Sequence, residues 1–257
     1  MKFSHAIVRP PPESFAGGLT TAADGPPDLD LALAQHRAYC EALAACGLEV
    51  IGLPADDSHP DSCFVEDTAI VTARGVVLTR PGAPSRQGEV AAIEPALRER
   101  IEHSARIEAP GTVDGGDVCD AGGHYLIGIS ARTNEQGATQ LARILEGWGF
   151  RTGLVDVRGQ SGLLHLKSGI SYLGDGRMVA TPAVAGHPAL AGYDTILTAP
   201  GEDYAANCVA INGRVLVAAG YPRLAAALAA AGHHLLVVEM SEFRKMDGGL
   251  SCLSLRF

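Results

Sequence analysis

Four segments of the chain carry side chains that can form covalent bonds or move protons, and each lies in an unexpected setting. MDGGLSCLSLRF contains Cys252, LLHLKSG sets His165 among leucines, FVEDTAIV puts Glu66 and Asp67 against an apolar run, and GTVDGGDV contains Asp114 and Asp117. Side chains of an extended segment alternate between faces. Read as a strand, LSCLSLRF places Leu253, Leu255 and Phe257 on one face and Cys252, Ser254 and Arg256 on the other. A cysteine that only fills a core belongs with the leucines. Gly248 and Gly249 mark a bulge or a close approach to the backbone. A thiolate is a nucleophile, and a histidine can stabilise it and carry protons. Asp114 is the candidate for orienting that histidine. Acyl chemistry would need donors for an oxyanion, whereas the other groups here are carboxylates, which only accept. Carboxylates suit a planar cation, above all a guanidinium. The expected chemistry is attack of Cys252 on a guanidinium carbon, loss of an amine, and hydrolysis of the thiouronium by water that His165 activates.

These groups are far apart in sequence, so the fold must gather them. DTAIVTARGVVLTRPG, DVCDAGGHYLIGISART, GISYLGDGRMVATPAV and NCVAINGRVLVAAGYP each place a glycine turn (Gly75, Gly123, Gly176, Gly213) between two β-prone runs. Helical stretches follow three of them: EVAAIEPALRERI, GATQLARILEGWG and PRLAAALAAAG; the unit containing HPALAGY lacks one. A fifth unit is split across the termini. LSCLSLRF supplies one strand and FSHAIVRP the next, followed by a helix capped by Asp28 and the strand LEVIGLP. The fold class expected is α/β, a five-bladed α/β-propeller of ββαβ units with pseudo-fivefold symmetry. Pairing of the N- and C-terminal strands closes it, and residues 1–257 form one domain. An open doubly wound sheet would alternate single strands with helices instead. In a ring the starts of the first strands converge on the axis, bringing Glu66, Asp67, Asp114, His165, Asn207 and Cys252 to one cleft. Charged groups at such positions cost several kcal/mol if buried without partners, so their recurrence in register points to a site.

The bulk properties narrow the partners. A formal net charge of −9 with no basic stripe, and only 5% aromatic residues, argue against nucleic acid. MKFSHAIVRPPPES reaches its prolines before an apolar signal region can form, and no apolar run spans a membrane. The six cysteines are scattered, with no CxxC pair and no metal-ligand spacing. A cytoplasmic protein with reduced thiols and no structural zinc is expected. There is no dinucleotide or P-loop fingerprint, so no cofactor is expected.

At this point the residues resemble a family. GLTTA, PDSCFVEDTAIV, LTRPGAPSRQGE, APGTVDGGDV, IGISARTNEQGA, LHLKSGISYL, YAANCV, AGYPR and EFRKMDGGLSCLSLRF together are similar to the dimethylarginine dimethylaminohydrolases, members of the guanidine-modifying superfamily, over essentially the whole chain. The resemblance implies a five-bladed α/β-propeller, Cys252 as nucleophile, His165 as catalytic histidine and Asp114 as its partner, where some members carry Glu. It implies Glu66 and Asp67 around the guanidinium, Arg86 and Arg132 near the substrate carboxylate, and Asp61 with the backbone of Leu19 at the amino group. It also implies that the loop Gly17–Ala22 is a lid. The implied activity is hydrolysis of Nω-methylated L-arginines to L-citrulline and dimethylamine or methylamine. Deimination of arginine or agmatine, amidino transfer, and non-catalytic binding of arginine-like ligands remain as alternatives. The expected partner is a small cationic amino acid; the oligomeric state is left open, a homodimer included.

Overall fold

The computed structural model describes residues 2–160 and 162–257. Its strands form five three-stranded sheets. The first holds β1 (His5–Val8) between β2 (Glu49–Gly52) and β15 (Leu255–Arg256), with α1 (Leu29–Ala45) connecting β1 to β2. The second contains β3 (Ala69–Thr72), β4 (Gly75–Leu78), α2 (Glu89–Arg98) and β5 (Ser104–Arg106). The third contains β6 (Val118–Asp120), β7 (His124–Ile129), α3 (Glu135–Gly147) and β8 (Arg151–Asp156). The fourth contains β9 (Ile170–Gly174), β10 (Arg177–Ala180), the one-turn α4 (Pro182–Ala185) and β11 (Asp194–Leu197). The fifth contains β12 (Val209–Ile211), β13 (Arg214–Ala218), α5 (Pro222–Ala230) and β14 (His234–Val238), followed by the short α6 (Ser241–Arg244). Every sheet pairs its first two strands antiparallel and its last two parallel. This is the ββαβ unit repeated five times, and pairing of Ala6 with Arg256 and of Ile7 with Leu255 closes the ring.

Local chemistry accounts for much of this. The tight hairpin turns at Asp175-Gly176 and Asn212-Gly213 have positive φ at both central residues, the backbone that suits strand twist and that Asp-Gly and Asn-Gly adopt readily. The side chain of Asp28 accepts a hydrogen bond from the Leu31 amide and caps α1. The fourth unit, short of helix-forming sequence, makes only the single turn α4 and a 3-10 turn, Pro188–Leu190.

Five apolar clusters fill the spaces between neighbouring sheets, one per junction. Ile7 and Leu255 meet Val76 and Leu78 at one of them, and Cys119 and Leu126 meet Ile170 and Met178 at another. Each sheet is therefore covered on both sides, and the middle strands β4, β10 and β13 are almost wholly buried while the rim strands β2, β8 and β11 stay half exposed. Among the described residues no helix is long and apolar enough to cross a membrane.

The sequence reading needs one correction. Cys252 is not in a strand: Ser251–Leu253 is a 3-10 turn, and β15 begins only at Leu255. The same device recurs before every first strand, as Val65–Thr68, Gly115–Asp117, Leu166–Ser168 and Asp203–Ala206. Alternation along LSCLSLRF is therefore broken at its start, and the turn, not the strand face, aims the sulfur. The paired glycines do mark close approach. A Cβ on Gly248 would lie 2.2 Å from the ring of Phe64, and one on Gly249 would lie 2.6 Å from the Asn207 side chain. Phe64 cannot easily yield, because it is buried and packs against the rings of Phe15 and Phe243. Gly248→Ala is expected to destabilise the fold by about 1–3 kcal/mol, the usual cost of overpacking. Calorimetry should show a melting temperature lower by several degrees; an unchanged melting temperature would contradict this packing.

Candidate active site

The five 3-10 turns meet at one end of the ring and carry five of the nine predicted residues with them. From the second unit come Glu66 and Asp67, from the third Asp114, from the fourth His165 at the N-cap of its turn, and from the first Cys252. His165 Nε2 lies 3.0 Å from Asp114 Oδ2, and the other Asp114 oxygen accepts from the Gly82 amide at 2.8 Å. Asp114 has no exposed surface. Asp67 Oδ1 accepts from the Gly116 amide at 2.8 Å, and Oδ2 from Arg86 Nη1 at 2.5 Å. Glu66 is held through Oε1 by Lys167 Nζ at 2.5 Å and through Oε2 by the Ser251 hydroxyl at 2.8 Å.

Two cavities meet at Cys252 and His165. The smaller, about 30 Å³, is lined by Leu19, Asp61, Asp67, Arg86, Arg132, His165 and Cys252 among others. The larger, about 430 Å³, has Glu66, His165, Lys167, Asn207 and Cys252 in its wall, with Thr21 and Ala22 of the loop predicted as a lid. Eight of the nine predicted residues thus line one continuous hollow, and Asp114 stands behind His165. A third cavity, about 160 Å³, is lined by residues of the first strands such as Ile70, Val118, Ser171, Val209 and Leu255. It shares Glu66 and Lys167 with the larger cavity, but neither Cys252 nor His165 lines it.

The two arginines differ sharply. Arg86 is buried and gives Nε and Nη2 to Glu89, Nη1 to Asp67, and Nη2 also to the Asp61 and Phe64 carbonyls. Of its five N–H groups, one on Nη1 is left for a ligand. The sequence reading gave it equal standing with Arg132; its main partners are instead the carboxylates of Asp67 and Glu89. The Arg132 guanidinium makes no hydrogen bond among the described residues, so its whole fork is available. The Leu19 amide is taken by both oxygens of Asp61, at 3.1 and 3.2 Å, so its carbonyl is the group that can face an amine.

The loop lies over the mouth of the site. Thr21 donates its amide and hydroxyl to Asp247 Oδ2 at 2.5 and 3.0 Å, and the Thr20 hydroxyl donates to the Lys245 carbonyl. Asp247 is one of three residues other than glycine with positive φ among those described. Sequence reasoning missed Asp247 and Lys167, and it left Asp117 without a role. The Asp-Gly pair before Cys252 and the cation two residues after His165 were the available signals. Asp117 is fully buried; it accepts from the Leu166 amide at 2.9 Å and the Ser130 hydroxyl at 2.6 Å, holding the turn that bears His165.

Burial would by itself lower the pKa of His165, but Asp67, Asp117 and Asp114 reverse this and raise it to about 9. The ring is therefore an imidazolium at neutral pH. Burial would raise Asp67, yet Arg86 and then His165 hold it down at about 2. The Cys252 thiol is pushed up to about 12, first by burial and then by Glu66 and Asp67. The other thiols, Cys40, Cys46, Cys63, Cys119 and Cys208, are also raised by burial. Basicity therefore does not single out Cys252; the two cavity walls it shares with His165 do. Asp67, Asp114 and His165 bring ligand-type atoms within 4.8 Å of one another, but the hydrogen bonds just described engage them.

Comparison with known proteins places the chain in a family and agrees with its fold. The arginine deiminase family matches residues 56–197. An N(G),N(G)-dimethylarginine dimethylaminohydrolase from Pseudomonas aeruginosa is 43% identical over 99% of this chain and 100% of its own. One from Streptomyces coelicolor is 39% identical over 100% of this chain and 98% of its own. The crystal structure of a cysteine-to-serine variant of the Pseudomonas aeruginosa protein, complexed with citrulline, superposes with a TM-score of 0.97 over 100% of both chains, at 43% identity.

The raised pKa of His165 has a checkable consequence. In nuclear magnetic resonance titration, its ring should lose its proton with a midpoint near pH 9, well above the ordinary 6.5. Because the folded value lies above the unfolded one, the stability His165 contributes is complete below pH 6.5 and is lost as pH rises through 9. Asp114→Asn should lower the midpoint; a midpoint near 6.5 in the parent protein would contradict the carboxylate cage.

Proposed function

We propose that this chain, which belongs to the dimethylarginine dimethylaminohydrolase family, hydrolyses Nω-methylated L-arginines to L-citrulline and dimethylamine or methylamine. The observation that carries this reading is that Cys252 and His165 stand together where the two cavities join, beside carboxylates that can only accept. The lining of the smaller cavity suits the amino-acid end of the substrate. There the Arg132 fork and the remaining Arg86 donor meet its carboxylate, and Asp61 and the Leu19 carbonyl meet its ammonium. Asp67 and Glu66 keep lone pairs for the guanidinium N–H groups.

The resting thiol is not a nucleophile. A guanidinium beside Sγ offsets the repulsion from Glu66 and Asp67, so substrate binding favours loss of the thiol proton to solvent. The thiolate attacks the guanidinium carbon. The imidazolium of His165 then gives its proton to the departing nitrogen, the C–N bond breaks, and a neutral amine leaves a thiouronium on Cys252. His165, now neutral, takes a proton from an entering water, whose oxygen bonds to the same carbon. Collapse of that adduct breaks the C–S bond, and the proton of its hydroxyl passes to the departing sulfur, so citrulline leaves and the thiol is restored. The lid, latched by Asp247, excludes other water during the first half. Asp114 holds the ring in place and keeps it charged until it acts.

Asymmetric dimethylarginine should yield citrulline and dimethylamine in equal amounts, and Cys252→Ser should yield neither while still binding citrulline. If arginine were the better substrate by kcat/KM, deimination would replace this reading. If Cys252→Ser bound the ligand unchanged and acid-quenched parent protein never showed a covalent adduct by mass spectrometry, the chain would be a binder. Asp114→Asn should lower kcat by about 10²- to 10⁴-fold with little change in KM, as the loss of a histidine-orienting carboxylate does elsewhere.

A further inference from the structure

The two cavities are very unequal, and that inequality bears on which arginines the site can take. The smaller, about 30 Å³, contains every predicted contact to the amino-acid end. Once that end is seated there, the guanidinium lies at the sulfur, and its terminal nitrogens with whatever they carry face the larger cavity. That cavity, about 430 Å³, is far larger than two methyl groups need. An apolar cavity of about 150 Å³ is enough to hold benzene.

Part of the wall suits such a substituent. Leu163 and Leu164 precede His165 on one side, Ala183 of α4 forms part of the rim, and Tyr204 contributes a ring whose hydroxyl is already spent on the Gly248 carbonyl at 2.8 Å. The charged members at the sulfur are also engaged: Lys167 bonds to Glu66, and Glu66 to Ser251. The remaining charged members of the wall are paired as well, Arg244 with Asp24, Asp247 with Thr21 and Asp203 with Thr198. An apolar group lying along the leucines, Ala183 and Tyr204 would therefore strip water from no unpaired charge near the reacting carbon.

We propose that the site also hydrolyses arginines whose Nω substituent is a bulky apolar group, propyl and benzyl among them, releasing the corresponding primary amine. This rests on the reading of Cys252 and His165 given above and extends its substrate class. The bonds are the same. Sγ bonds to the guanidinium carbon, the bond from that carbon to the substituted nitrogen breaks, His165 supplies the proton that the amine takes away, and water supplies the oxygen of citrulline.

The test uses the full chain with asymmetric dimethylarginine and Nω-benzyl-L-arginine in parallel, and measures citrulline together with dimethylamine or benzylamine. Benzylamine release with kcat/KM within about tenfold of the dimethyl substrate is expected, since the cavity meets the larger group without a clash. Ala183→Trp places a large ring at the exposed rim, away from the predicted amino-acid contacts. It should cut kcat/KM for the benzyl substrate by about tenfold or more and leave the dimethyl substrate within about threefold. If dimethylarginine is hydrolysed and the benzyl compound neither reacts nor competes, the proposal fails while the function stands. If Ala183→Trp slows both substrates equally, the assignment of the substituent to this cavity fails. If neither substrate reacts, the underlying reading fails and the proposal with it.

Discussion

Four buried carboxylates, Glu66, Asp67, Asp114 and Asp117, converge at one end of the ring, and the architecture there is organised around holding them. An unpaired ionised group in such a place costs several kcal/mol, so each must find donors. The donors come largely from other units: Lys167 and Ser251 for Glu66, the Gly116 amide for Asp67, His165 and the Gly82 amide for Asp114, and the Leu166 amide for Asp117. Asn207 completes the circuit, donating to the Lys167 carbonyl and accepting from the Ser251 amide. The bonds that neutralise the acids are thus the bonds that tie unit to unit. Stability and chemistry share the same atoms.

That arrangement sets the protonation states from which the chemistry begins. A cleft this rich in negative charge keeps His165 positive, and burial first, with that charge second, keeps the Cys252 thiol protonated. An imidazolium is the right form for donating to a departing amine, whereas a protonated thiol is the wrong form for attack. Lys167 is taken up by its bond to Glu66, so what the cleft by itself lacks is an unpaired cation next to the sulfur, and a guanidinium supplies one. The substrate is, on this account, part of the apparatus that activates the nucleophile. A neutral molecule of the same shape would leave the thiol as it is.

The repeat was legible in the sequence because its signals are local. Asn-Gly and Asp-Gly turns, the Asp28 cap and the short apolar runs each act within a few residues, so the ββαβ order and the closure through β1 and β15 could be read directly. The turn around Cys252 was not legible. Its start is held by Asn207, which accepts from the Ser251 amide, and Phe64 and Asn207 press on Gly248 and Gly249 just before it, contacts made across long stretches of chain. The engagement of Arg86 by Asp67 and Glu89 was hidden for a related reason. A motif marks an arginine near a cleft but does not say how many of its donors are already spent. Lys167 was overlooked because the pattern around His165 drew attention to the leucines, and its ion pair with Glu66 joins residues 101 apart in sequence.

The most direct measurement is the ionisation of the Cys252 sulfur, followed by thiolate absorbance in the ultraviolet against a Cys252→Ser blank. It should be run with no ligand, with citrulline, and with an arginine analogue whose guanidinium is replaced by a cationic amidine. The account predicts a thiol that titrates near 12 in the free protein, stays high with neutral citrulline, and drops by several pH units with the amidine. A thiol already ionised at neutral pH without ligand, or one whose titration the cation leaves unmoved, would contradict it.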